Sequence, residues 1–448
     1  METPIYDFVK EYQKKGTVRL HMPGHKGSPF LGCEPLDITE INGADDLYHP
    51  QGVIRQSEDH ATDLFGSRTT FYATGGSSQC IAAMVYLAML HCKKRQEKPS
   101  ILAARNAHKA FLHACALLDL EVHWIYPEEE ATICACPILP EQLDGILGSM
   151  EVLPFAFFIT SPDYLGGMAD IKGLSQVCKK YGVPLLVDNA HGAYLRFLSQ
   201  SLHPLDLGAD MCCDSAHKTL PVLTGGAYLH IAKKAAAPFE NDGKNALALF
   251  GSTSPSYLTL QSLDLCNRIL SEDYREKIVG CQKKIQQLAL KLKKKGYPLQ
   301  HFEPLKLVIE GGQIGISGNE LAETLRKNDV EVEFADEDHL VMMFTPETED
   351  VAFEKANMAF PPIIPRNVER QKTVLPPRGE QVMSIRQAMF AKRCTVKIQQ
   401  GLGRVCATPA VSCPPAIPIA ISGERITKEM IELFLLYGIE EVDVVEGG

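Results

Sequence analysis

Along the first two thirds of this chain, short continuous apolar runs alternate with longer amphipathic stretches. The runs fall at FYA, SILAARN, EVHWIY, PFAFFIT, PLLVDNA, ADMCCDS and GGAYLHI. They are short for helices and carry little polar alternation, which predicts strands covered on both faces. Helical stretches such as CIAAMVYLAML separate most of them, so the pattern predicts parallel α/β units around a buried sheet. In such sheets ligands bind at the carboxyl ends of the strands.

The flanks read differently. A helix is expected from about Ile5 to Lys15, followed by a Gly/Pro turn, LHMPGHKG. A second turn, DDLYHPQGVI, runs into another helix. GSTSPSYLTLQSLD (Gly251 to Asp264) opens a long helix, and REKIVGCQKKIQQLALKLKKKG keeps helical spacing with a solvated lysine face. LKLVIE and HLVMMFT, with a helix between them, predict a small α+β domain. Proline-rich FPPIIPR and VLPPR (Phe360 to Arg378) read as a linker into a last segment. The expected divisions are 1–44, an amino-terminal segment; 45–255, a large α/β domain; 256–360, the linker helix and small domain; and 361–448, the carboxyl-terminal segment.

Composition narrows the class. A chain of 448 residues, 45% hydrophobic and 22% charged, is an ordinary globular protein of more than one compact unit. Its formal charge of −10 argues against a general nucleic-acid binder and weakly favours cationic ligands. The start, METPIYDFVKEYQKK, has no apolar signal core, and no apolar run is long enough to span a bilayer. The 14 cysteines are therefore expected reduced, in the cytoplasm. Cys134 with Cys136, and Cys212 with Cys213, read as buried small hydrophobes rather than redox pairs. His21 and His25 have a spacing that suits a metal on a helix, but Pro23 and Gly24 break any helix there, so no metal is expected.

Chemistry concentrates at three places. In SAHKTLP (Ser215 to Pro221), Lys218 follows an apolar strand, where an amine shielded from water becomes a nucleophile toward an aldehyde. In PLLVDNAHGAY, Asp188 ends another strand, and a carboxylate there can keep a pyridine nitrogen protonated. In ATGGSSQ, Gly75 and Gly76 permit close approach of an anion. The helix-start amides and the hydroxyls of Ser77 and Ser78 would bind a phosphate. A lone lysine is usually a surface cation and a lone aspartate usually a cap; the three in this order point to pyridoxal 5'-phosphate.

With these motifs in hand, the chain resembles the Orn/Lys/Arg decarboxylase family in its compact form. The resemblance runs through LHMPGHKG, DDLYHPQGVI, ATGGSSQ, ARNAHKA, TSPDYLG, VDNAHGAY, SAHKTLP and GSTSPSY. It implies a large domain of the aspartate aminotransferase fold (fold type I) with a mostly parallel sheet, plus a smaller carboxyl-terminal α+β domain. It implies that His108 stacks on the cofactor ring, that His191 reaches the ring oxygen or Asp188, and that His217 is a phosphate ligand or proton donor. Gly76, Ser77, Ser78, Asp188, Ser215 and Lys218 complete the expected cofactor set. Tyr164 also follows a strand at the same edge. Residues Ser252 to Ser254 resemble the segment that reaches a neighbouring subunit's cofactor, which implies a homodimer with shared sites. Asp45 and Asp46 either receive a cationic substrate tail or form a solvated turn.

The sequence departs from the family at several places. Asn189 stands for the usual Glu in VDEAHGAH, Gly75 for an Asn, and Ser161 for an Asn. In the tail, Thr408 stands for Glu, Cys413 for Tyr and Ala416 for Gly. The expected reaction is decarboxylation of a basic amino acid in polyamine biosynthesis, L-arginine to agmatine first, with lysine and ornithine as alternatives. Another fold type I reaction, with Arg404 holding a substrate carboxylate, and a non-catalytic binding protein are the remaining readings.

Overall fold

The computed structural model describes residues 1–92, 98–127, 132–300, 303–363, 376–409, 411 and 415–447. Most of the proline-rich linker stretch and Cys413 lie outside the described residues.

Each apolar run becomes a strand: β1 (Thr69–Ala73), β2 (Ser100–Ala104), β3 (Glu121–Ile125), β4 (Phe157–Thr160), β5 (Leu185–Asp188), β6 (Met211–Asp214) and β7 (Ala227–Ile231). They form one sheet in the order β1-β7-β6-β5-β4-β2-β3. β2, β5, β6 and β7 are buried at every position, as continuous apolar runs require. β5 is parallel to β6 and β2 to β3, while β7 runs antiparallel to both β1 and β6. It follows that β1, β5 and β6 point the same way, so their carboxyl ends share an edge.

Compactness divides the chain into two units, Met1–Arg95 with Leu143–Ile159 and Ile171–Glu276, and Gln96–Gln142 with Thr160–Asp170 and Lys277–Gly448. In the first, the helix Gly76–Leu90 is buried continuously from Gln79 to Val85, the mark of a helix enclosed on all sides. Phe65, Tyr72 and Tyr228 fill the adjoining core, with the Phe65 and Tyr228 ring centres 5.1 Å apart. The opening helix, Pro4–Lys14, buries Ile5 and Val9. Thr3 gives it no side-chain cap; the amides of Ile5 and Tyr6 instead donate to Asp264 Oδ2, each at 2.9 Å. Ser57 Oγ donates to the other oxygen of Asp264 at 2.6 Å.

The second unit holds an antiparallel sheet of β8 (Leu299–Gln300), β9 (Lys306–Glu310), β10 (Phe334–Ala335) and β11 (His339–Met343), ordered β10-β11-β9-β8. A ribbon pairs β12 (Arg393–Lys397) with β13 (Glu441–Val445). Val308, Phe334, Val341, Ile398, Ile417, Phe434 and Val442 share one core there. The helix Gly318–Arg326 between β9 and β11 starts with a Ser317/Glu320 capping box, satisfying amides that helix geometry leaves open. Among the described residues, no helix is long and apolar enough to cross a membrane.

Candidate active site

The glycine-serine loop lies at the carboxyl end of β1 and the start of the helix Gly76–Leu90. Gly76 has φ +70°, a left-handed conformation that a side chain would strain, and a Cβ there would meet no protein atom within 4 Å. Gly75 at the N-cap contributes no side-chain acceptor; Gly76 N donates to Gly225 O at 2.8 Å, and the amides of Ser77 and Ser78 follow it in the first turn beside their hydroxyls. Gln79 organises the loop: its Oε1 accepts from Gly75 N at 3.0 Å, and its Nε2 donates to Leu247 O at 2.8 Å and to Tyr48 Oη at 3.2 Å. Tyr48 in turn donates to Ser252 O at 3.1 Å. Three motifs far apart in sequence thus meet around one amide.

Asp188 is the last residue of β5 and is 2% exposed. Burial pushes its pKa up; the Lys218 amine, the amide of Ala190 and the Cys213 thiol pull the other way without cancelling the rise. Lys218 sits in the short helix Ala216–Thr219 that follows β6, and its Nζ lies 3.0 Å from His191 Nε2. His191 is on a turn after β5, and the turn carries it to the lysine. Ser215 Oγ donates to Ser77 Oγ at 2.7 Å, which joins the lysine motif to the phosphate loop. His217 Nδ1 lies 3.0 Å from Gly226 O; a carbonyl only accepts, so Nδ1 carries the proton and Nε2 is left for another partner. In the first unit the structure therefore brings together Gly76, Ser77, Ser78, Asp188, His191, Ser215, His217 and Lys218.

A buried carboxylate near an amine, a hydroxyl pair and the first-turn amides of a helix of 15 residues are the donor set that a phosphorylated pyridine aldehyde needs. These residues fit pyridoxal phosphate.

His108 and Tyr164 lie in the second unit. His108 caps the helix Lys109–Leu118, its Nδ1 accepting from Ala110 N at 3.1 Å, so its ring proton is on Nε2. Tyr164 donates to Glu333 Oε1 at 2.7 Å. Arg404 donates to Val445 O at 3.3 Å and to Cys394 Sγ at 3.5 Å, a tie between backbone segments. Asp45 takes the turn reading: its carboxylate accepts from the amides of Gln51, Gly52 and Ile54 and caps the helix Val53–Phe65. Burial works against its ionisation, but those amides outweigh it and hold its pKa below the usual range.

One cluster has no signal in the sequence. His203, Asp214 and His230 are fully buried, and both histidine Nε2 atoms approach Asp214 Oδ2, at 3.0 and 3.2 Å. They are 27 residues apart at the extremes, with no motif spacing; the pairing of β6 with β7 makes Asp214 and His230 neighbours, and His203 joins them from the start of the short helix Pro204–Leu207. Among the family departures, Ser161 Oγ accepts from Ala169 N at 3.1 Å and Thr408 Oγ1 donates to Asp443 Oδ2 at 3.0 Å.

The sheet order, the reversed strand β7 and the lysine–aspartate–phosphate-loop set define a pyridoxal-phosphate-dependent enzyme of fold type I. The structure of Escherichia coli constitutive lysine decarboxylase shares this fold, with a TM-score of 0.77 at 17% identity over 99% of this chain and 82% of that one. The chain belongs to the Orn/Lys/Arg decarboxylase family, whose major domain matches residues 3–309. Across 96% of its length it is 29% identical to the Bacillus subtilis protein YaaO, covering 93% of that protein. It is 28% identical to the arginine decarboxylase of the same organism, again over 96% of this chain and 92% of the relative. It is accordingly a pyridoxal-phosphate-dependent decarboxylase of basic amino acids.

Proposed function

We propose that the protein converts L-arginine to agmatine and CO2, as a cytoplasmic homodimer with shared sites. The observation that carries the reading is the pair of contacts Lys218–His191 and Ser77–Ser215 beside the buried Asp188. The choice of arginine is supported by relatives that bear the name arginine decarboxylase.

Bound here, pyridoxal phosphate supplies an electron sink for the pair left on the α-carbon when CO2 departs. Lys218 offers the amine for attachment, and His191 at 3.0 Å can exchange a proton with it. Ser77, Ser78 and the amides of the helix start would hold the phosphate. Asp188, as a carboxylate, would accept from the ring nitrogen, and its proton affinity, raised by burial, would strengthen that bond. The Cα–carboxylate bond breaks, and Lys218 or His217 returns a proton to the α-carbon, so the amine leaves with one proton in place of CO2. Shielding the substrate carboxylate from water favours its loss as a neutral molecule.

The dimer reading is supported by one strongly apolar exposed stretch, in which Val18, Leu20, Met22, Phe30 and Leu31 are 78, 92, 65, 74 and 80% exposed. Residues 252–254, expected to reach a neighbouring subunit, are exposed as well. The test is CO2 release and product identity with arginine, lysine and ornithine. Arginine is expected to give agmatine with the highest kcat/KM, and Lys218→Ala to lose turnover and the borohydride-fixed pyridoxyl adduct. Keto-acid formation without CO2 would discard the reading.

A further inference from the structure

The tips of β5 and β6 carry the cofactor residues on one face and a dry polar cluster on the other. Asn189 follows Asp188 directly and is 0% exposed, as is Asp214, which precedes Ser215. Asn189 Nδ2 donates to Asp214 Oδ1 at 2.7 Å, and Asn189 N donates to Cys213 O at 2.9 Å. The direction of the side-chain bond is forced, because an ionised carboxylate only accepts. Asp214 is held ionised: burial opposes its charge, but His203 and His230 override that and keep its pKa far below the carboxylate range. His230 Nδ1 is fixed in turn by Thr70 Oγ1 at 2.8 Å, from β1. On the opposite face, Cys213 Sγ reaches Asp188 Oδ1 at 3.7 Å.

The family pattern has Glu where this chain has Asn189, yet a carboxylate is still present, one strand over at Asp214. Two carboxylates at hydrogen-bond distance in this fully buried place could not both ionise. The amide at 189 and the acid at 214 are therefore matched to each other. We propose that Asn189 and Asp214 are positioning residues for the cofactor site: their bond clamps β5 to β6 and so sets the spacing between Asp188 on one and Ser215 and Lys218 on the other. Successive strand residues face opposite ways, so a shift behind the sheet is carried directly to the residues in front. The charged and titratable groups around the clamp are His203, His230 of β7, Asp188 of β5, Cys212 and Cys213 of β6, Cys80 of the helix Gly76–Leu90, and Lys218, which faces Asp188. The inference rests on the pyridoxal phosphate reading of that site.

The test compares wild type with N189D, N189A and the exchange N189D/D214N. Cofactor dissociation constant, circular dichroism induced in the cofactor band, the borohydride-fixed adduct on Lys218 and the unfolding midpoint are read for each. N189D sets two acids against each other and is expected to weaken cofactor binding at least tenfold and to alter the induced signal. In the exchange the donor and acceptor trade places: the carboxamide oxygen at 214 still receives the imidazoles and its NH2 meets a carboxylate at 189. Affinity and signal are expected to return to within threefold of wild type. An exchange no better than N189D overturns the proposal, as does N189D within twofold of wild type or one that lowers only the unfolding midpoint. Should N189D fail to fold, N189A decides: a fivefold or greater loss of affinity supports the clamp, and a smaller loss overturns it. Stoichiometric metal in the purified protein would mean coordination by His203, Asp214 and His230 and would also overturn it. If wild type itself carries no adduct on Lys218, the cofactor reading fails instead, so the two failures are told apart.

Discussion

Ala416 shows what a single side chain can cost. Its φ is +57°, in the left-handed region where a Cβ crowds the following carbonyl, and its own carbonyl accepts from Lys109 N at 2.9 Å. The family has glycine at this place, so the conformation is kept while the residue suited to it is gone. Ala416→Gly is expected to raise stability by about 1 kcal/mol, read from urea midpoints. Asp264 carries a second residue-scale prediction. Burial pushes its pKa from the ordinary 3.8 up to about 6, against the lowering by Ser57, Tyr6 and Ile5. The folded state then binds more protons than the unfolded chain between about pH 4 and 6, so this group's contribution is present in acid and is lost as pH rises through 6. The size is up to roughly 3 kcal/mol for a shift of about two units. Asp264→Asn keeps an acceptor for Ile5 and Tyr6 and should remove that pH dependence, leaving stability at pH 7 equal or higher. Urea midpoints at pH 4.5 and 7 check it.

At the scale of elements, each strand of the large sheet was legible because a continuous apolar run has few other ways to be buried. Direction was not: nothing in GGAYLHI says that β7 runs against β1 and β6, since antiparallel pairing leaves no mark on a fully buried strand. The site was legible where chemistry demands a residue type, as at Lys218, Asp188 and the glycines. It was not legible where pairing alone makes neighbours, as with Asp214 and His230, or where one side chain knits loops, as Gln79 does. Asp45 could be read as substrate contact or turn, and only its bonds to the next helix decide. Gly76→Ala tests the loop as an element. The protein itself leaves room for the methyl, so the unfolding cost should be only about 1 kcal/mol of backbone strain. Cofactor affinity measured by absorbance titration should fall further than that strain accounts for. A loss limited to stability would place the phosphate elsewhere.

For the whole molecule, the exposed apolar stretch between Val18 and Leu31 is the strongest statement about assembly. Joint replacement Leu20→Asp and Phe30→Asp is expected to shift the protein from dimer to monomer in sedimentation velocity, with loss of most decarboxylase activity. A dimer that persists in the double variant would place the interface on another surface. Size and composition indicated a globular protein of more than one unit, but no property of the sequence taken locally indicates which stretch is left uncovered by its own chain. The amino-terminal helix points to a different consequence. Its capping carboxylate comes 259 residues after the amide it receives. On the ribosome Asp264 is made after both Asp188 and Lys218, so the bonds that cap this helix close only once the residues that hold the cofactor exist. Translation order therefore lets the segments that carry Asp188 and Lys218 take shape before that cap closes.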